Sequence, residues 1–261
     1  MTEADTLIQS LTKKKKLVAM LAPSFPIVFP YPSIVGMLKK LGFSYVVEVS
    51  AGAKKTNEQL LDLLKNNPDK RYITSPCPTV VRMIRKQMPE YEKYLAYEVD
   101  SPMVATAKIV KEKYPDHQPV FIGPCLVKKL EATEDHPDLN ILVITYADLS
   151  QILTRFNVTE NAGSNNKFDI AETGLTRTYA LDGGLSHSSG LLNKLQESEV
   201  KMVSGWKNCM EAIKDFDTNP KTRLLDILFC DGGCIGGPGI KSAMTTDERK
   251  KKVLAYHSNN L

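Results

Sequence analysis

The chain has 261 residues, of which 42% are hydrophobic, enough to bury one large core or two packed lobes. Its 34 basic and 30 acidic side chains leave a net charge of only +4. That charge is too small and too dispersed to indicate a nucleic-acid surface, and we predict no nucleic-acid partner. The basic run from Lys13 to Lys16 is predicted to be a solvated segment before the first strand.

The sequence also indicates where in the cell the protein is found. No apolar stretch approaches the roughly 20 residues that cross a bilayer, and the N-terminus lacks the charged-then-apolar order of a signal peptide. We therefore expect a cytoplasmic protein with no membrane partner. Five cysteines, an odd count without a secretion signal, fit metal ligation or reduced thiols better than a disulfide framework.

The chain begins with a predicted amphipathic lead-in, Met1 to Lys16, after which short β-branched runs alternate with helical patterns. The predicted strands are Leu17–Leu21, Tyr45–Val49, Arg71–Ser75, Pro119–Gly123, Ile141–Thr145, Val200–Ser204 and Leu224–Cys230. The predicted helices are Pro32–Gly42, Asn57–Lys65, Thr79–Met88, Pro102–Tyr114 and Asp148–Phe156. This order predicts βαβ units and a mostly parallel sheet.

A polar segment, Asn157 to Thr178, is predicted to be a surface excursion and not a domain boundary. We predict an α/β fold of two intertwined lobes, each a small, mostly parallel sheet flanked by helices, with the functional site in the cleft between them. The first lobe is assigned to residues 17–118, completed by 235–261, and the second to residues 119–234. Both chain ends are compatible with cut edges of a longer polypeptide.

Four cysteines come at, or just after, the carboxyl ends of predicted strands: Cys77, Cys125, Cys230 and Cys234. Loops that follow parallel strands converge at one edge of an open α/β sheet, so we expect the four thiols to meet there. Cys77 precedes Pro78 at a predicted helix start. That position is expected to lower the pKa of the Cys77 thiol and to favour metal binding.

The segment from Cys230 to Gly239 contains a flexible glycine pair between two thiols and further glycines behind them. Glycine permits positive φ and lets backbone amides approach a bulky anionic group, which suits a cluster better than a single small ion. A structural zinc site, thiols buried as small hydrophobes, and thiol redox chemistry remain as alternatives. Cys209, inside a helical pattern, is predicted to be partly buried packing.

The three cysteine segments resemble, in the same order, the signature motifs of the C-terminal, H-cluster-carrying domain of the [FeFe]-hydrogenase large chain. Thr74–Pro78 (TSPCP) resembles the first motif, and Gly123–Glu131 (GPCLVKKLE) resembles the second. Asp226–Gly239 (DILFCDGGCIGGPG) resembles the third. The likeness extends roughly from Val18 to Ala255, and three ordered motifs are more specific than any single cysteine pair.

The resemblance implies two cofactors. The first is a [4Fe-4S] cluster ligated by Cys77, Cys125, Cys230 and Cys234. The second is a two-iron subsite with CO and cyanide ligands, to which Cys234 would also bridge.

Further site residues follow from the same resemblance. Lys128 matches a lysine that donates a hydrogen bond to a cyanide, and Glu131 matches the acidic residue after it. Ala22, Pro23 and Ser24 resemble the segment whose backbone and hydroxyl contact the other cyanide. Lys128, Ser24 and Glu131 are therefore the predicted catalytic residues. The predicted cofactor-binding residues are Ala22, Pro23, Gly183 and Gly184.

Departures from the family pattern bear on activity. Hydrogen-producing members have a proton-shuttling cysteine where this chain has Pro76, which has no titratable proton, so the usual relay is interrupted. Gly123 replaces the methionine of the second motif, which predicts extra space or a water beside the two-iron subsite. Leu228 replaces the methionine of the third motif. For the acidic residues of the usual proton path, Glu58 is the nearest candidate.

Two functions are therefore open. The favoured one is an H-cluster-binding, [FeFe]-hydrogenase-like oxidoreductase for hydrogen oxidation or proton reduction, slow because its proton relay is impaired and sensory or regulatory in role. Lys128 and Ala22–Ser24 favour it, because they have no evident purpose around a [4Fe-4S] cluster alone. The alternative is an electron-transfer or sensing module that holds only the [4Fe-4S] cluster. We predict a ferredoxin-like electron donor domain or protein as partner, and hydrogenase maturation proteins for the first function.

Overall fold

The computed structural model describes residues 2–159 and 166–259, and all structural features below lie in those ranges. The strands are β1 Leu17–Leu21, β2 Tyr45–Glu48, β3 Tyr72–Ile73, β4 Gln118–Gly123, β5 Leu142–Thr145, β6 Val200–Ser204 and β7 Leu224–Leu228. They form a four-stranded sheet with the order β2-β1-β4-β5 and a three-stranded sheet with the order β3-β7-β6. Neighbouring strands run parallel in both sheets.

Helices connect the strands and cover the sheets. They are α1 Glu3–Thr12, α2 Ser33–Leu41, α3 Ser50–Asn66, α4 Pro78–Gln87, α5 Pro102–Lys113, α6 Lys128–Leu130, α7 Tyr146–Arg155, α8 Gly184–Ser188, α9 Trp206–Thr218 and α10 Thr246–Ser258. The predicted fold class, parallel sheets flanked by helices, is confirmed. Among the described residues, none of these helices is both long and apolar enough to span a bilayer.

The four-stranded sheet carries the larger core. Every residue of β1 and of β5 is buried, as expected of parallel strands that helices cover on both faces. Helix α1 also packs here, because its Leu7 and Leu11 are buried in the same core. Thr2 caps this helix by accepting a hydrogen bond from the backbone of Asp5. The predicted lead-in therefore contains a helix that packs on the four-stranded sheet.

The three-stranded sheet separates two smaller cores. In the central strand β7, Leu225 and Ile227 contribute to the core that contains residues of α4 and α9. Leu224, on the opposite face, belongs to the core that contains Leu60 and Leu64 of α3. Side chains of a strand alternate between its faces, so β7 supports helices on both sides.

The sheets divide the strands differently from the predicted lobe ranges. Strands β4 and β5 fall in the range assigned to the second lobe, yet they pair into the sheet of β1. Strand β3 falls in the range assigned to the first lobe, yet it pairs with β7. Parallel strands are joined by long crossover connections, which allow the chain to leave a sheet and return to it. Element order alone does not say which sheet each crossover reaches.

The described part of the predicted polar excursion, residues 166–178, is tied to the four-stranded sheet. Asp169 accepts a hydrogen bond from the Val46 backbone at 2.8 Å, and the Ile170 carbonyl accepts one from Glu48 at 2.8 Å. These bonds cover the outer edge of β2, which would otherwise leave backbone groups unpaired. Residues 160–165, which include most of its asparagine-rich part, lie outside the described residues.

Candidate functional site

Each candidate cysteine follows the carboxyl end of a strand. Cys77 caps α4 after β3, and Cys125 lies shortly after β4. Cys230 lies shortly after β7, and Cys234 begins a short 3-10 turn. All four are partly buried. Because β4 belongs to one sheet and β3 and β7 to the other, the site lies where segments from both sheets meet.

The four thiols lie close together, and this affects the ionisation of Cys77, Cys230 and Cys234. Burial raises the pKa of Cys77, and Cys125 adds to this. Burial, Cys77 and Cys125 raise the pKa of Cys230 to about 12. Burial and the other three cysteines raise the pKa of Cys234 well above its ordinary value. Every pair among the four therefore interacts, and the structure brings together the thiols that the sequence singled out.

The predicted lowering of the Cys77 pKa is wrong. Cys77 does cap α4, and backbone hydrogen bonds from Phe229 and Val80 do lower its pKa, but burial and the nearby Cys125 outweigh them. Several thiols in one low-dielectric site resist ionisation together unless a cation compensates. The iron ions of a cluster would supply that positive charge, and binding would then release protons.

The donor set suits a cluster better than a single ion. Within the described residues, no group of three or more His, Cys, Asp or Glu side chains is arranged to hold one metal ion. Tetrahedral zinc holds its thiolates about 2.3 Å from one centre. Each thiolate of a [4Fe-4S] cluster binds a different iron, so the four sulfurs stand further apart. Among the described residues, the side chains therefore form no preformed site for a single zinc ion.

Glycines allow the segment with Cys234 to pack directly on the segment with Cys125. The Gly239 backbone donates a hydrogen bond to the Pro124 carbonyl at 2.8 Å. A Cβ on Gly239 would lie 2.8 Å from that same oxygen, and a Cβ on Gly237 would be equally close. Only residues without a side chain permit this backbone contact, which holds the two cysteine segments together.

The turn 230–234 also depends on its glycines. Gly232 and Gly233 have φ of +72° and +95°, values that other residues adopt only with strain. Gly233 forms a bridge with Leu181, and a Cβ there would lie 2.7 Å from the Ala180 carbonyl. The positive φ expected in this turn is therefore present. The turn is held against the loop at 179–181.

A cavity opens beside Cys125 and Cys234, with an empty volume, mouth included, of about 540 Å³. Segments from both sheets contribute to its wall. The sequence-predicted residues in that wall are Ala22, Pro23, Ser24, Pro76, Lys128 and Leu228. Much of the remaining wall is apolar, including Val49, Met103 and Phe121.

Lys128 brings an ammonium to this wall. Its Nζ donates a hydrogen bond to the Pro76 carbonyl at 3.1 Å and lies 2.5 Å from a carboxylate oxygen of Glu131. Lys128 is 8% exposed and Glu131 is 6% exposed, so the pair is buried. The positive charge of Lys128 lowers the pKa of Cys77 and Cys234, which places the ammonium near two of the thiols.

Ser24 is fully buried and contacts Tyr146, a residue that the sequence analysis missed. The Tyr146 hydroxyl donates to the Ala22 carbonyl at 2.8 Å. The Ser24 hydroxyl, 2.9 Å from the Tyr146 oxygen, must therefore be the donor in that contact. Tyr146 directly follows β5, so the strand-end rule that selected the cysteines would also have found it.

The extra space predicted at Gly123 is not present. A Cβ on Gly123 would lie 2.5 Å from the Phe121 ring, and this ring lines the cavity. The two residues lie on the same face of β4 because they are two positions apart in a strand. An aromatic ring of the strand thus occupies the volume that the missing methionine side chain was expected to leave.

Three other predicted residues lie outside the cavity wall. Gly183 caps α8 with a positive φ of 68°, and a Cβ on Gly184 would lie 2.5 Å from the Thr178 carbonyl. These glycines serve a turn and a close backbone contact, and their cofactor-binding role stays a prediction. Glu58 is exposed and pairs with Lys55 at 2.8 Å, so it does not extend a proton path to the cavity.

Two further buried groups lie near the thiols. Cys209 is fully buried on α9, and its thiol donates to the Leu228 carbonyl at 3.3 Å, so its predicted packing role is confirmed. Tyr179 lines the cavity and is 7% exposed. Its hydroxyl oxygen is buried and has no hydrogen-bond partner among the described residues. Tyr179 carried no signal in the sequence, because it lies in a loop without a motif.

Comparison with known proteins identifies related sequences. Residues 15–238 match the family described as "Iron only hydrogenase large subunit, C-terminal domain". The NADP-reducing hydrogenase subunit HndD of Solidesulfovibrio fructosivorans is 24% identical over 81% of this chain and 46% of its own length. The probable cytosolic Fe-S cluster assembly factor oxy-4 of Caenorhabditis elegans is 25% identical over 85% of this chain and 60% of its own length. The chain spans about half the length of the curated relatives it matches.

Solved structures show the same fold. The [FeFe]-hydrogenase HydA1 from Chlamydomonas reinhardtii superposes with a TM-score of 0.71, covering 97% of this chain and 88% of that chain. The sequence identity is 18%, so this similarity establishes the architecture and leaves the chemistry to the residues of the site.

Proposed function

The chain belongs to the family formed by the C-terminal domains of iron-only hydrogenase large chains, and from this we propose that it binds a [4Fe-4S] cluster on Cys77, Cys125, Cys230 and Cys234. The observation that carries the proposal is that these four cysteines follow the ends of strands in both sheets and lie near enough for Cys77, Cys125 and Cys230 to act on Cys234. They come from three separate chain segments, which fits shared ligation better than chance burial. When bound, the cluster supplies one-electron redox chemistry.

We further propose that the cavity beside Cys234 receives a two-iron subsite, so that the domain carries the complete H-cluster. Its position beside Cys125 and Cys234 and its apolar wall support this, because four thiols around a [4Fe-4S] cluster have no need of such a cavity. The Ala22–Ser24 segment lines it directly after β1. Backbone groups there would face a ligand with few competing waters.

Lys128 is positioned to hold an anionic ligand in this cavity. An ammonium has three hydrogens. The Pro76 carbonyl accepts one of them, and Glu131 forms an ion pair with the charge without accepting a hydrogen bond. A hydrogen therefore remains for a negatively charged ligand such as cyanide, to which a charge-assisted hydrogen bond is strong. Glu131 compensates the buried charge and fixes the direction of the side chain, which is a positioning role.

The same site supports slow turnover, as suits a sensory or regulatory domain. Pro76 lines the cavity where fast family members have a proton-shuttling cysteine, and proline cannot exchange a proton. Glu58, the nearest acidic candidate, is at the surface. Proton delivery to the cavity is therefore expected to limit any hydrogen oxidation or proton reduction.

A second candidate function is electron transfer or sensing with the [4Fe-4S] cluster alone. The Phe121 ring that packs over Gly123 favours it, because this ring takes volume beside the proposed two-iron subsite. Similarity to proteins named as cytosolic Fe-S cluster assembly factors also supports it. For either function we propose a ferredoxin-like electron donor, and for the first we also propose hydrogenase maturation proteins as partners.

Anaerobic reconstitution tests the cluster. We expect about four iron and four sulfide per chain and the spin-resonance spectrum of a reduced [4Fe-4S] cluster. The Cys230→Ser variant should lose most of this signal. Cys209→Ala is the matched control, because Cys209 is buried nearby but is not a proposed ligand, and it should retain the cluster. Zinc without sulfide in the wild-type protein would overturn the proposal.

Treatment of the protein with the hydrogenase accessory enzymes, which assemble the two-iron subsite, distinguishes the two proposed functions. Infrared bands of CO and cyanide together with slow hydrogen turnover are expected for the complete H-cluster. A filled [4Fe-4S] site with no such bands would establish the second candidate in its place.

A further inference from the structure

Two buried tyrosines near Cys234 differ in their hydrogen bonds. The charge of Cys234 contributes to raising the pKa of both Tyr146 and Tyr179, after burial as the main cause. The proton of Tyr146 is directed to the Ala22 carbonyl at 2.8 Å. The Tyr179 hydroxyl has no partner among the residues that the structure describes. The Tyr146 proton is therefore already used in a hydrogen bond, whereas the Tyr179 proton is available to another acceptor.

Tyr179 is held in place by its surroundings. A Cβ on Gly184 would lie 2.8 Å from the Tyr179 Cα, so the backbone of α8 packs tightly against this residue. Two positions later, Leu181 bridges to Gly233, the residue before Cys234. The loop that carries Tyr179 is thereby fastened to the cysteine turn, and the side chain lines the cavity beside Cys234.

Asp226 is the other charged group that affects Tyr179. One of its carboxylate oxygens already accepts hydrogen bonds from the Ser186 backbone at 3.0 Å and from the Ser186 hydroxyl at 2.7 Å. No hydrogen bond joins Tyr179 to this carboxylate in the described structure. A buried hydroxyl without a partner is unfavourable, which indicates that its acceptor is completed when the site is loaded.

We propose that the Tyr179 hydroxyl donates a hydrogen bond to the Cys234 sulfur once this thiolate ligates the cluster, and that it thereby sets the cluster's reduction potential. This inference rests on the proposed cluster. A ligating sulfur carries negative charge, and reduction of the cluster adds more. A hydrogen bond to it stabilises the reduced state more than the oxidised state, which raises the potential. Tyr179 is a positioning residue in this role.

The test compares Tyr179→Phe with the wild type as reconstituted, cluster-containing proteins in redox titrations followed by spin resonance. Loss of the hydroxyl should lower the ratio of reduced to oxidised cluster about tenfold at a fixed potential, which is about 59 mV for one electron. Tyr72→Phe is the matched control. Tyr72 is 6% exposed and Tyr179 is 7% exposed. Burial and Glu98 raise the pKa of Tyr72 and Arg223 lowers it, without any contribution from a cysteine. It should leave the potential unchanged.

A second measurement begins with the wild-type protein and detects the proton directly. Electron–nuclear double resonance of the reduced wild-type cluster should show a coupled proton that exchanges in deuterated water, and Tyr179→Phe should lack it. Equal potentials in fully loaded wild type and Tyr179→Phe, or a retained exchangeable proton, would overturn the hydrogen bond and leave the cluster proposal standing. Absence of iron and sulfide from the wild type would overturn both.

Discussion

Pro76 lines the cavity but cannot carry out the proton transfer expected at its position in the family. Its side chain has no proton to relay, but its carbonyl accepts a hydrogen bond from Lys128 at 3.1 Å. The position therefore helps to orient the ammonium and does not deliver protons. Sequence comparison predicts the loss of the relay, whereas the new contact depends on where the α6 segment lies relative to α4.

Gly123 is a second position that departs from the family pattern, and the Phe121 ring fills the space beside it. Restoring the larger side chain tests whether the two residues compete for this space. Gly123→Met, which would restore the family residue, should lower the free energy of unfolding by about 1–3 kcal/mol because of overpacking. A Cβ at this position already lies 2.5 Å from the ring. Urea unfolding of the cluster-free protein measures the change.

The double variant Gly123→Met with Phe121→Ala is the compensating control. Removing the ring opens the volume that the methionine needs, so the double variant should be more stable than the sum of the single effects predicts. Strictly additive effects would show that the ring and residue 123 do not compete for the same volume.

At the scale of elements, the segment that follows β7 links the site together. It carries Cys230 and Cys234, forms the 3-10 turn Cys234–Gly236, and then packs backbone to backbone on Pro124. The glycine content of this segment was expected to serve the approach of an anionic group. The structure shows a further use, because Gly237 and Gly239 permit contact with the segment that carries Cys125.

Gly239→Ala tests this use. The added Cβ would meet the Pro124 carbonyl and the Thr145 side chain, both under 3 Å away. We expect a loss of about 1–3 kcal/mol in the free energy of unfolding and a lower iron content after reconstitution, because the two cysteine segments are forced apart. Chemical denaturation and iron analysis measure the two effects.

Lys241→Ala is the control for this variant, since Lys241 lies two residues further on and is exposed. It should change neither quantity. Full iron content in Gly239→Ala, despite lower stability, would separate the glycine contact from cluster binding.

At the scale of the whole molecule, the site joins two sheets that share no strand. Cys77 and Cys230 extend from the three-stranded sheet, and Cys125 extends from the four-stranded sheet. A bound cluster would therefore cross-link the two halves of the fold, in addition to its redox role. The buried contact between Glu48 at the end of β2 and Arg177, at 3.1 Å, ties the loop before Tyr179 to the four-stranded sheet as well.

Removal of the cluster by an anaerobic chelator tests the cross-link. Amide hydrogen exchange should become about tenfold faster or more in residues 123–125 and 230–239, because local opening no longer breaks iron–sulfur bonds. Amides of β1, in the centre of the four-stranded sheet, should keep their protection. Mass spectrometry of peptic fragments measures both, and equal exchange with and without the cluster would count against the cross-link.

The positions of the strands and of most helices were predictable from the sequence, because they depend on local periodicity. The strand prediction Leu17–Leu21 coincides with β1, and Val200–Ser204 coincides with β6. Helix α3 is longer than predicted, since its first turns are polar and small. The four thiols were also predictable, because each follows a strand end, and the family was predictable from three cysteine motifs in order. That the strands concerned belong to two separate sheets was not predictable from the sequence.

Only the tertiary structure decided how these parts combine. The partition of strands between the sheets, the Phe121 ring over Gly123 and the unpartnered Tyr179 hydroxyl all depend on contacts between residues far apart in the chain or on opposite faces of elements. The raised pKa of Cys77 has the same origin, because burial and Cys125 outweigh the local effect of the helix start. Local sequence determines which face an element must bury, and only the assembled fold determines what that face meets.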